Sequence, residues 1–156
     1  MDPVYSTLGL VAALTITFGA AYLGSRFPVD GWYAGLSKPT WNPPNWLFGP
    51  VWGILYLLMA VAAWLVWRES GLAGAAIPLA VFMLQLGLNA AWSWLFFGEH
   101  KLGLAFLEIM ALWAAILWTL TGFWELNPIS GILLVPYILW VSFASVLNHA
   151  IWRLND

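Results

Sequence analysis

The sequence predicts an all-α fold, a membrane-spanning bundle of five helices with one long loop between the first and the second. Three observations lead there. Of 156 residues, 63% are hydrophobic and 8% are charged, a balance that would leave a soluble domain of this length with a greasy surface. Five stretches are almost free of charge, and each exceeds the roughly 20 residues that carry a helix across about 30 Å of hydrocarbon at 1.5 Å per residue. Short segments bearing charge, Gly or Pro separate most of these stretches.

The first stretch, Val4 to Ser25, predicts a helix over 4–26. It is too long for the apolar part of a secretory signal and opens Met1-Asp2-Pro3 without basic residues, so it reads as a retained span. The loop 27–45, rich in Pro, Gly and Trp, is the one long connection and is expected to act as a lid. Trp46 to Trp67 predicts a second helix over 46–68, and the short segment Arg68 to Gly74 ends it. Ala75 to Phe97 predicts a third over 75–97, closed by Gly98 to Lys101. Leu102 to Trp124 predicts a fourth over 102–124, and its Glu108 is the only charge inside the five stretches. After Glu125 to Pro128, Ile129 to Trp152 predicts a fifth over 129–152. The chain reads as a single domain, 1–156, without internal repeats.

Orientation follows from Lys and Arg. Arg26, Lys38, Lys101 and Arg153 fall on the side of the long loop and the C-terminus, and Arg68 alone falls on the other. The positive-inside rule therefore expects an integral multi-pass protein with its N-terminus outside and its C-terminus cytoplasmic.

Several function classes find no support. A net charge of -2 and the lack of a basic face argue against nucleic acid. Without cysteine there is no disulfide and no thiolate nucleophile or metal ligand. No phosphate loop, Ser-His-Asp set or acid pair at catalytic spacing argues for a hydrolase or an ATP-driven pump.

A pocket is predicted from depth and helical phase. Counted along their helices, Trp52, Asn89, Trp92, Glu108 and Ala144 fall roughly 8 to 14 Å from the cytoplasmic boundary, with Trp140 somewhat deeper. Gln85, Asn89, Trp92 and Phe96 share one face of the third helix, and Pro136, Trp140, Ala144 and Leu147 one face of the fifth. Gln85 and Asn89 should point into the bundle, either to join helices or to orient a ligand. Trp52, Trp92 and Trp140 lie inside the spans, where ligand contact and core packing both remain open. Trp32, Trp41, Trp46, Trp67, Trp124 and Trp152 lie near span ends, the usual place of interfacial anchors. Glu108 either faces a functional site or snorkels toward the interface. His149 is about 180° around the helix from Trp140, so no axial metal ligand, and no metal site, is expected. Ala80, Gly87 and Ala91 form a small-residue face on the third helix, about 200° from Asn89, for a second protomer or for close packing within one.

The sequence also resembles a known family over essentially its whole length. The most specific stretch is Trp32-Tyr33, Leu36, Lys38-Pro39, Trp41, Pro43-Pro44, Trp46, Phe48, Pro50-Val51-Trp52 and Tyr56. Gln85-Leu86, Asn89, Trp92-Ser93 and Phe96-Phe97 follow, then Pro136-Tyr137, Trp140, Phe143-Ala144, Leu147-Asn148 and Trp152-Arg153. On these residues the chain resembles the tryptophan-rich sensory protein and translocator protein family, also called the peripheral-type benzodiazepine receptor family. The resemblance implies a five-helix bundle, often a homodimer, that binds porphyrins and other aromatic ligands in a cavity closed by the first loop. It implies that Trp52, Asn89, Trp92, Ala144 and Trp140 line that cavity, that Trp52 and Trp140 take part in light- and oxygen-dependent porphyrin breakdown, and that an acid at the position of Glu108 is common. Animal relatives carry a tyrosine-centred sterol pattern at the end of the last helix. His149 stands at the matching position here, which argues against a sterol as partner.

The expected ligand-binding set is therefore Trp32, Lys38, Trp41, Trp52, Gln85, Asn89, Trp92, Glu108, Trp140, Ala144 and Leu147. Lys38 is expected to meet porphyrin carboxylates. The expected role is a membrane sensor or carrier for tetrapyrroles, protoporphyrin or a haem relative, with no required cofactor. A porphyrin-degrading enzyme, a transporter of tetrapyrroles or lipids and a structural scaffold are the alternatives.

Overall fold

A computed structural model describes residues 1–156. Helix α1, Pro3–Ser25, begins where the Asp2 carboxylate accepts the Val4 amide at 3.1 Å, with a proline in the first turn whose missing N–H costs nothing there. The connection that follows contains one short helix, α2, Gly31–Ala34, capped by Asp30 on the Tyr33 amide at 3.3 Å.

Helix α3 runs over Asn45–Gly74, past the expected end at 68, but its regular turn breaks at Gly71, whose φ of 68° a side chain would strain. Helix α4, Ala76–Ser93, passes into a π-helical turn over Trp94–Gly98, which carries Phe96 and Phe97. Helix α5 covers Leu102–Leu126.

The expected helix over 129–152 is divided into α6, Pro128–Leu133, and α7, Val135–Asn155. Pro136 gives the reason: it lacks an N–H, and its ring would clash with the carbonyl of Ile132 in a continuous helix. Together α6 and α7 still form one apolar run, so five helical runs are long and apolar enough to cross a membrane.

The runs alternate in direction, which defines two ends. The lid end gathers the 26–44 connection, the 98–101 turn and the C-terminus; the far end holds the N-terminus and the α3/α4 and α5/α6 turns. α1 packs on α3 and α4, α4 on α5, α5 on α6 and α7, and α3 on α6. The main core includes Met59, Val66, Phe82, Ile109, Leu112, Ile116, Phe123 and Val141. A smaller one at the lid end joins Tyr33 of the connection to Leu95, Phe96, Ala105, Leu147 and Ile151. Outside, Leu8, Ile77, Leu107, Trp118 and Leu139 are exposed in the pattern of a lipid-facing surface.

Candidate functional site

A cavity of about 390 Å³ opens between α1, α3, α4 and α7 beneath the connection. α3 contributes Phe48, Trp52 and Tyr56, spaced four residues apart and thus on one face. α4 contributes Asn89 and Trp92, and the π-helical turn after it Phe96; α7 contributes Trp140, Ala144, Leu147, Asn148 and Ile151. Phe18 and Ala21 of α1 close one side, and Phe27, Pro28 and Tyr33 close the top. The Trp52 and Trp140 rings meet at 90° with centroids 6.5 Å apart, and Phe48 lies edge-on to Trp140 at 6.0 Å.

Few polar groups reach this cavity. Asn89 is held by two tyrosines, accepting from the Tyr56 hydroxyl at 2.9 Å and donating to the Tyr137 oxygen at 2.7 Å. Tyr137 in turn donates to Gln85 Oε1 at 2.6 Å, one layer below the cavity wall. The Trp92 indole donates to Asn148 Oδ1 at 3.0 Å, and Asn148 donates to the Leu102 carbonyl at 3.0 Å. The Trp140 indole N–H is buried without a partner.

The 26–44 connection is tied to α7 and to itself by side-chain hydrogen bonds. Asn155, in the last turn of α7, receives the Ser37 amide at 3.0 Å and donates to the Ser37 carbonyl at 2.8 Å. Tyr33 donates to Asn42 Oδ1 at 3.1 Å. Burial pushes the Tyr33 phenol above its ordinary value of 10.0, with the Asn42 bond pulling the other way, so it stays a neutral donor at physiological pH. Two exposed bonds at about 0.5–1.5 kcal/mol each hold the latch. Asn155→Ala is therefore expected to raise hydrogen exchange at the Gly35 to Ser37 amides about tenfold, with exchange in α5 unchanged.

Of the predicted set, Trp52, Asn89, Trp92, Trp140, Ala144 and Leu147 line the cavity. The remaining five lie outside its lining. Gln85 is buried beneath it as Tyr137's acceptor. Lys38 does not reach in: its ammonium donates to the carbonyls of Tyr33 at 2.8 Å, Leu36 at 3.1 Å and Ala34 at 3.4 Å, so it holds the lid's own backbone. Trp32 stacks on His100 with centroids 3.9 Å apart, and Trp41 meets Phe143 edge-on while 46% exposed.

Glu108 does not snorkel. Both carboxylate oxygens are buried and unpartnered, away from the cavity wall. Glu108→Leu removes this uncompensated polar group at similar size, so the variant is expected to gain about 1–3 kcal/mol of stability, read as a higher Tm in detergent. A lower Tm would mean that the carboxyl has a stabilising partner in the unliganded bundle.

Ala80 and Gly87 are exposed on α4 and Ala91 is half-buried; a Cβ placed on Gly87 would meet nothing within 4 Å. His149 is exposed on α7 against Phe106, and no group of three His, Cys, Asp or Glu side chains gathers at metal-binding range.

Sequence reasoning missed Tyr56, Tyr137 and Asn148 as members of the site. Phase held the signal, since Tyr56 is four residues after Trp52 and Tyr137 three before Trp140. The α1 wall of Phe18 and Ala21 carries no such mark, being apolar in an apolar helix.

Comparison with known proteins places these features in context. The family model described as "TspO/MBR family" matches residues 9–153. The human translocator protein is 41% identical over 140 residues, covering 86% of this chain and 82% of its own. The tryptophan-rich protein TspO of Archaeoglobus fulgidus is 41% identical over 151 residues, covering 95% and 97%. The tryptophan-rich sensory protein of Cereibacter sphaeroides is 38% identical over 148 residues, covering 92% of each.

Proposed function

Because the chain belongs to the TspO/MBR family and is an integral multi-pass membrane protein, we propose that it is a sensor or carrier that binds tetrapyrroles in the cavity under the lid. Protoporphyrin, a haem-related tetrapyrrole or another flat aromatic molecule is the ligand. One observation carries the reading: an aromatic wall with Trp52 and Trp140 at right angles surrounds one oriented amide, Asn89. Flat apolar surface supplies affinity and the few polar groups fix orientation. The relatives' names, translocator and sensory protein, agree with a role in moving or reporting a ligand.

The Lys and Arg asymmetry turns the lid end toward the cytoplasm, so the ligand enters from that side. The open α4 face of Ala80, Gly87 and Ala91 suits a homodimer. No sterol is assigned, since His149 stands where the sterol pattern needs tyrosine.

Titration of protoporphyrin into purified protein, followed by tryptophan quenching, tests the reading. A saturable site is expected in the native chain, with affinity lost in the Trp52→Ala, Asn89→Ala, Trp140→Ala variant. Equal affinity in that variant would place the ligand elsewhere.

The pairing of Trp52 with Trp140 also favours a second reading, photo-oxidative porphyrin breakdown with dioxygen as oxidant. Under illumination in air, bound porphyrin would then lose absorbance faster than free porphyrin. Equal decay rates would leave binding alone.

A further inference from the structure

A second cleft, of about 470 Å³, lies at the far end between α1, α3 and α4, remote from the lid. Twelve of its 13 lining residues are hydrophobic, and the remaining one is Gly9. Gly9 is required there, because a Cβ at that position would collide with the Trp67 ring that forms the floor. Tyr5 packs on the same ring with centroids 5.3 Å apart. The Trp64 indole N–H is already used by the Ser6 carbonyl at 2.9 Å, so this ring presents only apolar surface to the groove. The rim residues Leu8 and Leu72 are 61% and 70% exposed, so the groove opens sideways toward the hydrocarbon.

We propose that this groove holds one acyl chain of a glycerophospholipid from the leaflet at the far end, with its phosphate on Arg68. Length supports a single chain. From Tyr5 to Ile16 the groove follows eleven steps of α1, about 16 Å at 1.5 Å per residue, against about 15 Å for half of a bilayer's hydrocarbon. Charge supports the headgroup. The Arg68 guanidinium sits 5.0 Å from the centre of the ring of Trp64, one of the residues that line the groove.

Arg68 is also the only Lys or Arg at that end of the bundle. The chain's one ion pair is Lys101 with Glu99, so Arg68 has no carboxylate partner. Its neighbour Glu69 is engaged instead by the Asn127 amide at 2.7 Å. An unpaired guanidinium at headgroup height, beside a leaflet-long apolar slot, matches a phosphate with a chain attached. Net anionic lipids present that phosphate without a competing ammonium, so phosphatidylglycerol should be held better than phosphatidylcholine.

The test uses the full chain in nanodiscs of phosphatidylcholine with a minor share of phosphatidylglycerol, released into mild detergent and weighed by native mass spectrometry. The native chain is expected to retain one phosphatidylglycerol. Arg68→Gln should lower that occupancy about fivefold, the effect of one basic side chain near a lipid surface, and Arg68→Lys should restore most of it. Ala12→Trp, at an exposed position of the wall, should plug the slot and abolish retention, with helical circular dichroism unchanged. Equal retention in Arg68→Gln and Ala12→Trp would overturn the proposal. So would a lipid-free dimer that Ala12→Trp splits, which would make the groove a seat for a second copy of the chain.

Discussion

An Asn89→Leu chain is expected to unfold about 5–10 °C below the native protein, a loss of about 2–3 kcal/mol. The side chains are close in size, so the change isolates the polar part of the site. Asn89 is 3% exposed and joins three runs of the bundle through Tyr56 on α3 and Tyr137 on α7. The bonds point one way: Tyr56 donates to Asn89, Asn89 to Tyr137 and Tyr137 to Gln85, and the Gln85 amide ends 3.8 Å from the Met59 sulfur. Leucine leaves the Tyr56 hydroxyl without an acceptor in a low-dielectric interior and takes one donor from Tyr137. An orphaned buried group costs about 1–3 kcal/mol, more than the net value of the bond it once made. Removing both partners should therefore cost less than the sum of the single changes. Tyr56→Phe with Asn89→Leu is expected to fall short of additivity by about 1 kcal/mol, measured as Tm in the same detergent. Strict additivity would show that the two groups do not share a bond in the folded protein.

The parts of this architecture that were readable in the chain are those governed by a period or by an exclusion. Lipid excludes charge, so the five apolar runs appear as stretches bounded by Arg26, Arg68, Lys101, Glu125 and Arg153. Helical phase brings Trp52, Asn89, Trp92, Trp140, Ala144 and Leu147 onto converging faces, and all six line the cavity. What escaped depends on long-range pairing or on competition between donors. Asn155 with Ser37 joins positions 118 residues apart, which no local pattern encodes. Lys38 had two sets of acceptors available, a ligand's carboxylates or nearby carbonyls, and three backbone carbonyls two to five residues away take its ammonium. The division of the last span was written in Pro136, but hydropathy averages over a proline and does not register it. Glu108 could be located by depth but not by direction, because both an inward and a snorkelled rotamer fit the same helix position.

Ala144→Phe is expected to weaken protoporphyrin binding more than a hundredfold while leaving the bundle folded. Ala144 is 9% exposed on α7, one turn beyond Trp140 and three residues before Leu147, and its methyl forms part of the cavity wall. A benzyl group grown from that position has open volume before it rather than packed side chains, so overpacking is avoided and the ring occupies ligand space. A flat ligand displaced from the Trp52 and Trp140 faces would give up about 120 Å² of apolar contact, about 3 kcal/mol at 25 cal/mol per Å², or more than two decades in Kd. Ala144→Gly supplies the opposite case: it enlarges the space and keeps both indoles, so its affinity should stay within a few fold of the native chain. Isothermal titration or tryptophan quenching on the pair reads the contrast directly. Steric exclusion acts only where the ligand sits. Full affinity in Ala144→Phe with a native-like Tm would therefore put the ligand outside this cavity, whatever stacking surface the indoles offer.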